Sequence, residues 1–367
     1  MMSGRLKKQK ASIEHIEKME QISDLKIPPR LPAGLEDSWI MVVLLNMGGP
    51  KDISEVRPFL KNLFMDDLII RFPLAPLLQP FFANLIVSSR GEEAERRYGL
   101  IGGGSPIYRS TIAQTQALQA ELQKRGRDLK VIYSFNYTEP RAEETIREIK
   151  KSGKKYILPL SLYPHYSLAT NGSTIHYLKK AAQEIYPELV FLNSVSYYLA
   201  DSYIDSFIDR IHEQLNPGES LDDFYLLFSA HGLPLYFLTN GDPYPFEIAQ
   251  SVARIVDGLE RTDSWAISYQ SAVGPMKWLK PSTDAVIKAL AGRGIRKLMV
   301  VPISFVTDHI ETICEIDIEY RALAKEKGIT DFRMSRALEC HPGFINALAD
   351  CAESSLVSEK NKVLKLG

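Results

Sequence analysis

The sequence predicts an α/β protein built as two Rossmann-like lobes, each a four-stranded parallel sheet flanked by helices. Three observations lead there. Strand-like and helix-like segments alternate along the chain, and the alternation runs through twice. The strand-like runs are almost continuously apolar, as strands of a parallel sheet covered on both faces must be. The turns that follow corresponding strands echo each other: NMGGP with SAHGLP, NYTEP with QSAVGP, and YPHYS with VTDHIE. Repeated similarity of this kind is what a duplicated βα unit leaves behind.

The first unit reads WIMVVLLN (39–46), a helical region, KVIYSFN (130–136), a helix from Arg141, KYILPLSLY (155–163), a second helix and LVFLNSV (189–195). The second reads DFYLLFS (223–229), a helix near 246–260, SWAISYQ (264–270), a helix near 283–292, KLMVVPISF (297–305), a helix from about 310 and FRMSRAL (332–338). The expected division is an N-terminal extension over 1–38, a first lobe over 39–210, a second over 211–358 and a tail over 359–367, with the lobes joined near 197–222 and a cleft between their strand ends. In the extension, Ile13, Ile16, Met19 and Ile22 form a weak helical stripe that IPPRLPAG (27–34) then breaks.

At 367 residues and 45% hydrophobic, the chain can bury a sizeable core. A net charge of -1 and the lack of a basic motif interleaved with aromatics argue against nucleic acid. Cys314, Cys340 and Cys351 are odd in number and widely spaced, which offers neither a disulfide framework nor a metal knuckle, and a reducing, cytoplasmic setting is expected. The first residues lack the apolar core of a secretory signal. No run of about 18 apolar residues, which a membrane-spanning helix needs, occurs.

Two stretches carry the chemistry. SAHGLP places His231 directly after a strand and before Gly232, where a glycine lets a ligand approach the backbone and an imidazole takes protons near neutral pH. The plain alternative is a loop histidine bonded to backbone. DHIETICEIDIEY (308–320) holds His309 and spaces Glu311, Glu315 and Glu319 at i, i+4 and i+8, on one face of an α-helix. The preference of acids for a helix N-terminus accounts only for Asp308 and Glu311. A line of carboxylates suits a divalent cation shedding its water. The IGGGSPIYR stretch (101–109) lacks the ending of a phosphate loop, and reads as a glycine-rich turn into a helix after Ser105. Residues 69–90, apolar but broken by Pro73, Pro76 and Pro80, read as too interrupted for an ordinary core helix. They form either an apolar lip for a flat ligand or membrane surface, or a broken core helix.

With LNMGGP (45–50), GGGSPI (102–107), LYPHYS (162–167), SAHGLP (229–234), YQSAVGPMKWL (269–279) and DHIETICEIDIEY, the chain resembles the ferrochelatases, from about Val42 to about Asp350. The resemblance implies insertion of Fe(II), as substrate, into a porphyrin held between the lobes, protoporphyrin IX being the expected ring. It places His231 and Glu311 as the central pair across the macrocycle, with Glu315 and Glu319 relaying metal or protons. Met47, Ser105, Tyr137, Tyr163 and His309 are the porphyrin-lining positions it implies, and the 69–90 region leads into a hydrophobic lip at the pocket mouth. Residues 72–87, apolar yet unable to span a bilayer, are expected to associate transiently with a membrane surface. Asn136 and Leu100 stand where members often carry arginine, so recognition of the propionates is expected to differ. Members with an iron-sulfur cluster use four cysteines; this chain has three, so no permanent cofactor and no such cluster is expected. Insertion of another divalent metal, or tetrapyrrole binding without turnover, are the alternative readings. The sequence sets no oligomeric state.

Overall fold

A computed structural model describes residues 35–69, 78–274 and 276–365, with the side chains of the last helix described to Val357. Strands β1 (Ile40–Asn46), β2 (Lys130–Phe135), β3 (Tyr156–Ser161) and β4 (Val190–Phe191) form one four-stranded sheet in the order β2-β1-β3-β4. Strands β5 (Tyr225–His231), β6 (Trp265–Gln270), β7 (Lys297–Val301) and β8 (Asp331–Met334) form a second, in the order β6-β5-β7-β8. Every pairing is parallel, and the two orders are the same. This is the predicted two-lobed α/β architecture. Several strands are shorter than the apolar runs suggest. β7 stops at Val301 because Pro302 has no N–H to give the ladder. β4 stops at Phe191, and Val195 instead donates its N–H to Ser355 Oγ of the last helix at 2.9 Å.

Strand alternation sorts the side chains into three cores. Ile40, Val42 and Leu44 of β1 and Leu158 and Leu160 of β3 turn inward, and so do Leu226, Phe228 and Ala230 of β5 and Met299 and Val301 of β7; all belong to one central cluster. The residues between them face outward. Met41, Val43 and Leu45 pack with Ile146, Ile149 and Leu178, and Leu227, Leu298 and Val300 pack with Ile287, Leu290 and Ala324. The central core is completed by Leu118 and Leu122 of helix Ile107–Lys124, Phe207 and Ile211 of helix Asp201–His212, Val252 and Ile255 of helix Tyr244–Gly258, and Leu348 and Ala352 of helix Pro342–Lys365. Both sheets therefore lean on the same apolar interior.

The last helix follows β8 in sequence, yet it packs on Ile107–Lys124 and Asp201–His212. Arg125 fastens it, pairing with Asp350 at 2.6 Å and Glu353 at 2.9 Å. Helix Gln79–Leu100 departs from the reading of 69–90 as too interrupted for a helix. Pro80 lies in its first turn, where a missing N–H costs nothing, so the chain is helical straight through Ala83, Gly91 and Tyr98, which are buried. The more broken part of that segment, with Pro73 and Pro76, lies outside the described residues, as does the N-terminal extension to residue 34. Among the described residues no helix is long and apolar enough to cross a membrane.

Candidate active site

In each sheet the chain leaves the central strand to one side and returns to the other, so the connections that follow β1 and β3, and β5 and β7, run to opposite faces and leave a crevice beyond the paired strand ends. His231 is the last residue of β5, a strand residue rather than a loop residue. Its backbone is held on both sides: its N–H donates to Ser304 Oγ at 2.9 Å, and its carbonyl accepts the Tyr244 hydroxyl at 3.0 Å. Gly232 lies tight against the neighbouring strand. A Cβ there would sit 2.7 Å from the Gln270 carbonyl oxygen, which accepts the Gly232 N–H at 2.9 Å.

Opposite His231, Ile310–Tyr320 is wound as a π-helix before continuing as an α-helix over Arg321–Glu326. With bonds from i to i+5, steps of four fall short of a full turn, and the offset grows along the segment. Glu311 and Glu315 consequently converge on Ser271, while Glu319 turns away to pair with Arg97 of helix Gln79–Leu100 at 2.9 Å. The three carboxylates do not form the single line that α spacing predicts.

The centre of the site is short and polar. His231 Nδ1 lies 2.7 Å from Glu311 Oε2. Ser271 Oγ lies 3.3 Å from the same oxygen and 2.5 Å from Glu315 Oε2, and since a hydroxyl has one proton to give, the shorter contact is its main bond. Glu315 also accepts the Ser271 N–H at 2.9 Å and the Tyr320 hydroxyl at 2.8 Å, and Gln270 Nε2 donates to the Glu311 carbonyl at 3.0 Å. Ser271 adopts φ 62°, a left-handed conformation that a non-glycine residue holds only when its surroundings require it. His309 caps the π-helix and is buried; its ring lies 4.5 Å from that of Phe305, which in turn lies 6.3 Å from His231.

Burial alone would raise the Glu311 pKa and lower that of His231, but each group's charge overrides the cost to the other. Glu311 is brought down to about 2 by the imidazole, and His231 is raised above its ordinary value by Glu311, with Glu315 adding to it. Glu315 is itself raised, by burial and then by the Glu311 charge beside it. Burial lowers His309. The site thus holds one firm anion, one strengthened base and one carboxylate that protonates early.

The first lobe supplies the facing wall. Met47 follows β1, half-buried, its N–H donating to Asn46 Oδ1 at 2.8 Å and its carbonyl accepting the Tyr137 N–H at 3.1 Å. Tyr163, just past β3, is half-buried; its phenol is raised by burial and then by the charge of Glu311, so both lobes share one electrostatic field. Tyr98 responds to the same two causes. Tyr137 is placed differently. It is 4% exposed, and its hydroxyl donates to Asp66 Oδ2 at 2.8 Å. Asp66 also accepts from Ser173, Tyr177 and the Leu68 N–H. Ser105, buried, gives its N–H to the Pro50 carbonyl at 2.7 Å and lies so close to Gly49 that a Cβ there would sit 2.5 Å away.

Among the described residues no set of three or more His, Cys, Asp or Glu side chains is arranged to hold a metal ion. The family model for ferrochelatase matches residues 40–356. The ferrochelatase of Cyanothece sp. (strain PCC 7425 / ATCC 29141) is 42% identical over 327 residues, 88% of this chain and 84% of the relative. That of Gloeobacter violaceus is 41% identical over 320 residues, 86% of this chain and 97% of the relative. This chain belongs to the ferrochelatase family. Ferrochelatases are metal chelatases of the lyase class. In fold, this one is similar to the sirohydrochlorin chelatase SirB of Bacillus subtilis subspecies spizizenii, solved with cobalt, at a TM-score of 0.52 and 11% identity over 86% of this chain and 94% of SirB.

Within this ferrochelatase, the two positions where arginine was missing are not alike. Asn136 is buried and its N–H donates to the Asn46 carbonyl at 3.2 Å, whereas Leu100 ends its helix 51% exposed. Sequence reasoning missed Ser271, Gln270, Tyr320, Ser304 and Asp66. The first two lie in QSAVGP, visible as an echo of NYTEP but not as a carboxylate holder.

Proposed function

We propose that the chain inserts Fe(II) into a porphyrin, protoporphyrin IX, and that His231 and Glu311 carry the reaction. The observation that carries this reading is the 2.7 Å His231–Glu311 contact at the crevice end of β5, in a ferrochelatase-family chain. Metallation must remove two pyrrole protons, strip water from the metal and bend the ring so that its nitrogen lone pairs meet the ion. With Nδ1 taken by Glu311 and the His231 side chain 35% exposed, Nε2 is the nitrogen left for a pyrrole proton. The imidazolium so formed is stabilised by Glu311, which is the physical content of its raised pKa. Its Nδ1 proton then passes by Glu311 and the Ser271 hydroxyl to Glu315, where burial favours the protonated form.

Glu311, anionic down to about pH 2, faces the incoming cation. Glu319, 41% exposed and paired with Arg97, is the most solvent-facing of the three carboxylates and suits initial metal contact rather than proton relay. Met47, Ser105, Tyr163, Tyr137 and His309 support the porphyrin, Tyr137 through its backbone and ring position, since its hydroxyl is given to Asp66. Anaerobic mixing of the protein with protoporphyrin and Fe(II) should give catalytic growth of the haem spectrum, faster than with coproporphyrin. Porphyrin binding without turnover would leave a carrier, and faster turnover with cobalt or nickel than with iron would leave a different chelatase.

Ser271→Ala tests the relay. It removes the hydroxyl between the two carboxylates while leaving His231 and Glu311 in place, and kcat is expected to fall about tenfold, the equivalent of one hydrogen bond. Porphyrin affinity should be unchanged. An unaltered kcat rules out this route for the proton.

We also propose peripheral attachment at the cytoplasmic face of a membrane, where an apolar substrate is received. Phe81 and Leu85 on helix Gln79–Leu100 are 63% and 55% exposed, which supports it. Replacing Leu78, Phe81 and Leu85 with serine should weaken pelleting with phosphatidylglycerol vesicles and raise the KM for porphyrin. Absence of pelleting in the unaltered protein would end this part of the reading.

The protein is proposed to carry no iron-sulfur cluster. Cys314 and Cys351 are buried, with Sγ bonded to Glu319 and to the Val195 carbonyl, and only Cys340 is exposed. Purified protein should lack acid-labile sulfide, and a variant with serine at 340 and alanine at 314 and 351 should keep most of its activity. Stoichiometric sulfide would overturn this.

A further inference from the structure

A cavity of about 270 Å³ lies at the β3–β4 edge of the first sheet; its walls include Tyr163 but neither His231 nor Glu311. We propose that this cavity binds a small organic monoanion, a carboxylate on a flat apolar body, with the Lys179 ammonium as its counter-ion. Lys179 is the only charged side chain in the walls, and no carboxylate is among them. Its Nζ lies 5.6 Å from the centre of the Phe191 ring, and among the described residues it forms no ion pair. Burial lowers its pKa to about 8, as expected of an ammonium held partly out of water without an opposing charge.

The rest of the wall sets the ligand's class. Phe191, Ile175 and Leu160 provide apolar surface for a ring or short chain, and Ser194 and Ser196 provide hydroxyls for a second carboxylate oxygen. The volume equals roughly nine water molecules, enough for a single ring. Unlike the chelatase reading, this site draws on no residue of the His231–Glu311 pair.

The test uses benzoate as the carboxylate and benzamide as its neutral equivalent, with the full chain and ligand-observed NMR. Benzoate is expected to bind at about 1 mM or tighter, and benzamide at least about tenfold more weakly. Lys179→Gln should abolish the difference and Lys179→Arg should retain it. Benzoate should also protect Lys179 from reductive methylation, which places the ligand in this cavity rather than in the main cleft. Ile175→Trp, which fills the space and leaves the ammonium in place, should remove binding as well. Equal affinity for benzoate and benzamide, unchanged benzoate binding in Lys179→Gln or Ile175→Trp, or no protection of Lys179 would overturn the proposal and leave Lys179 as a lysine whose stem merely covers Phe191.

Discussion

Replacing His231 with alanine is expected to lower kcat by at least about a hundredfold, the lower end of what a general acid-base group contributes. Porphyrin should still bind, because the apolar contacts proposed for the ring do not use the imidazole. The variant removes the imidazole, whose base strength the Glu311 charge increases, and with it the entry to the path through Glu311 and Ser271 to Glu315. The backbone clamps at this position, from Ser304 and Tyr244, do not involve the imidazole, so the strand end should keep its place. Added imidazole should restore part of the rate by occupying the vacated space. Anaerobic turnover with Fe(II), set beside porphyrin fluorescence quenching, separates the two effects. Near-normal turnover in a folded variant that binds porphyrin would remove His231 from the mechanism.

Glu311→Gln is expected to cut kcat by a similar factor through a different cause. Its volume is nearly unchanged, but the negative charge beside the imidazole is gone. Burial then acts on His231 unopposed except by Glu315, so its pKa should drop from its raised position to below the ordinary 6.5, a shift that the His231 Cε1 proton resonance reports directly. The pH dependence of stability should change as well. In the unaltered protein the depressed Glu311 contributes stability above the usual glutamate range, lost as pH falls toward 2; the raised His231 contributes stability below 6.5, lost as pH rises through its folded pKa. Their contributions overlap between about pH 4.5 and 6.5, and the variant should lose its advantage in that window. An unshifted imidazole resonance would show that the two groups are not coupled in solution.

The fold was legible because each parallel strand is buried on both faces and so spells a continuous apolar run, and because the two halves repeat the same turns. The strand ends were less legible, since Pro302 and the claim of Ser355 on Val195 act on backbone groups that apolarity does not report. At the site, His231 and Glu311 could be picked out by residue type and position. The winding of Ile310–Tyr320 could not: acids four apart fit an α-helix, and nothing local to Glu311, Glu315 and Glu319 shows that Ser271 and Arg97 pull them apart. Tyr137 was legible as an aromatic near a strand end, but its hydroxyl goes to Asp66, a residue 71 positions away that carries no motif.

The central core that both sheets share, spanned by the helix Pro342–Lys365, has a mechanical corollary. Two bodies that bury their inner faces against the same side chains cannot swing apart on a hinge without exposing them, so the lobes should melt as one cooperative unit, with a single calorimetric transition. A macrocycle entering between them meets stiff jaws. Whatever yielding the reaction needs must come from locally wound elements such as the π-helical segment or from the ring itself.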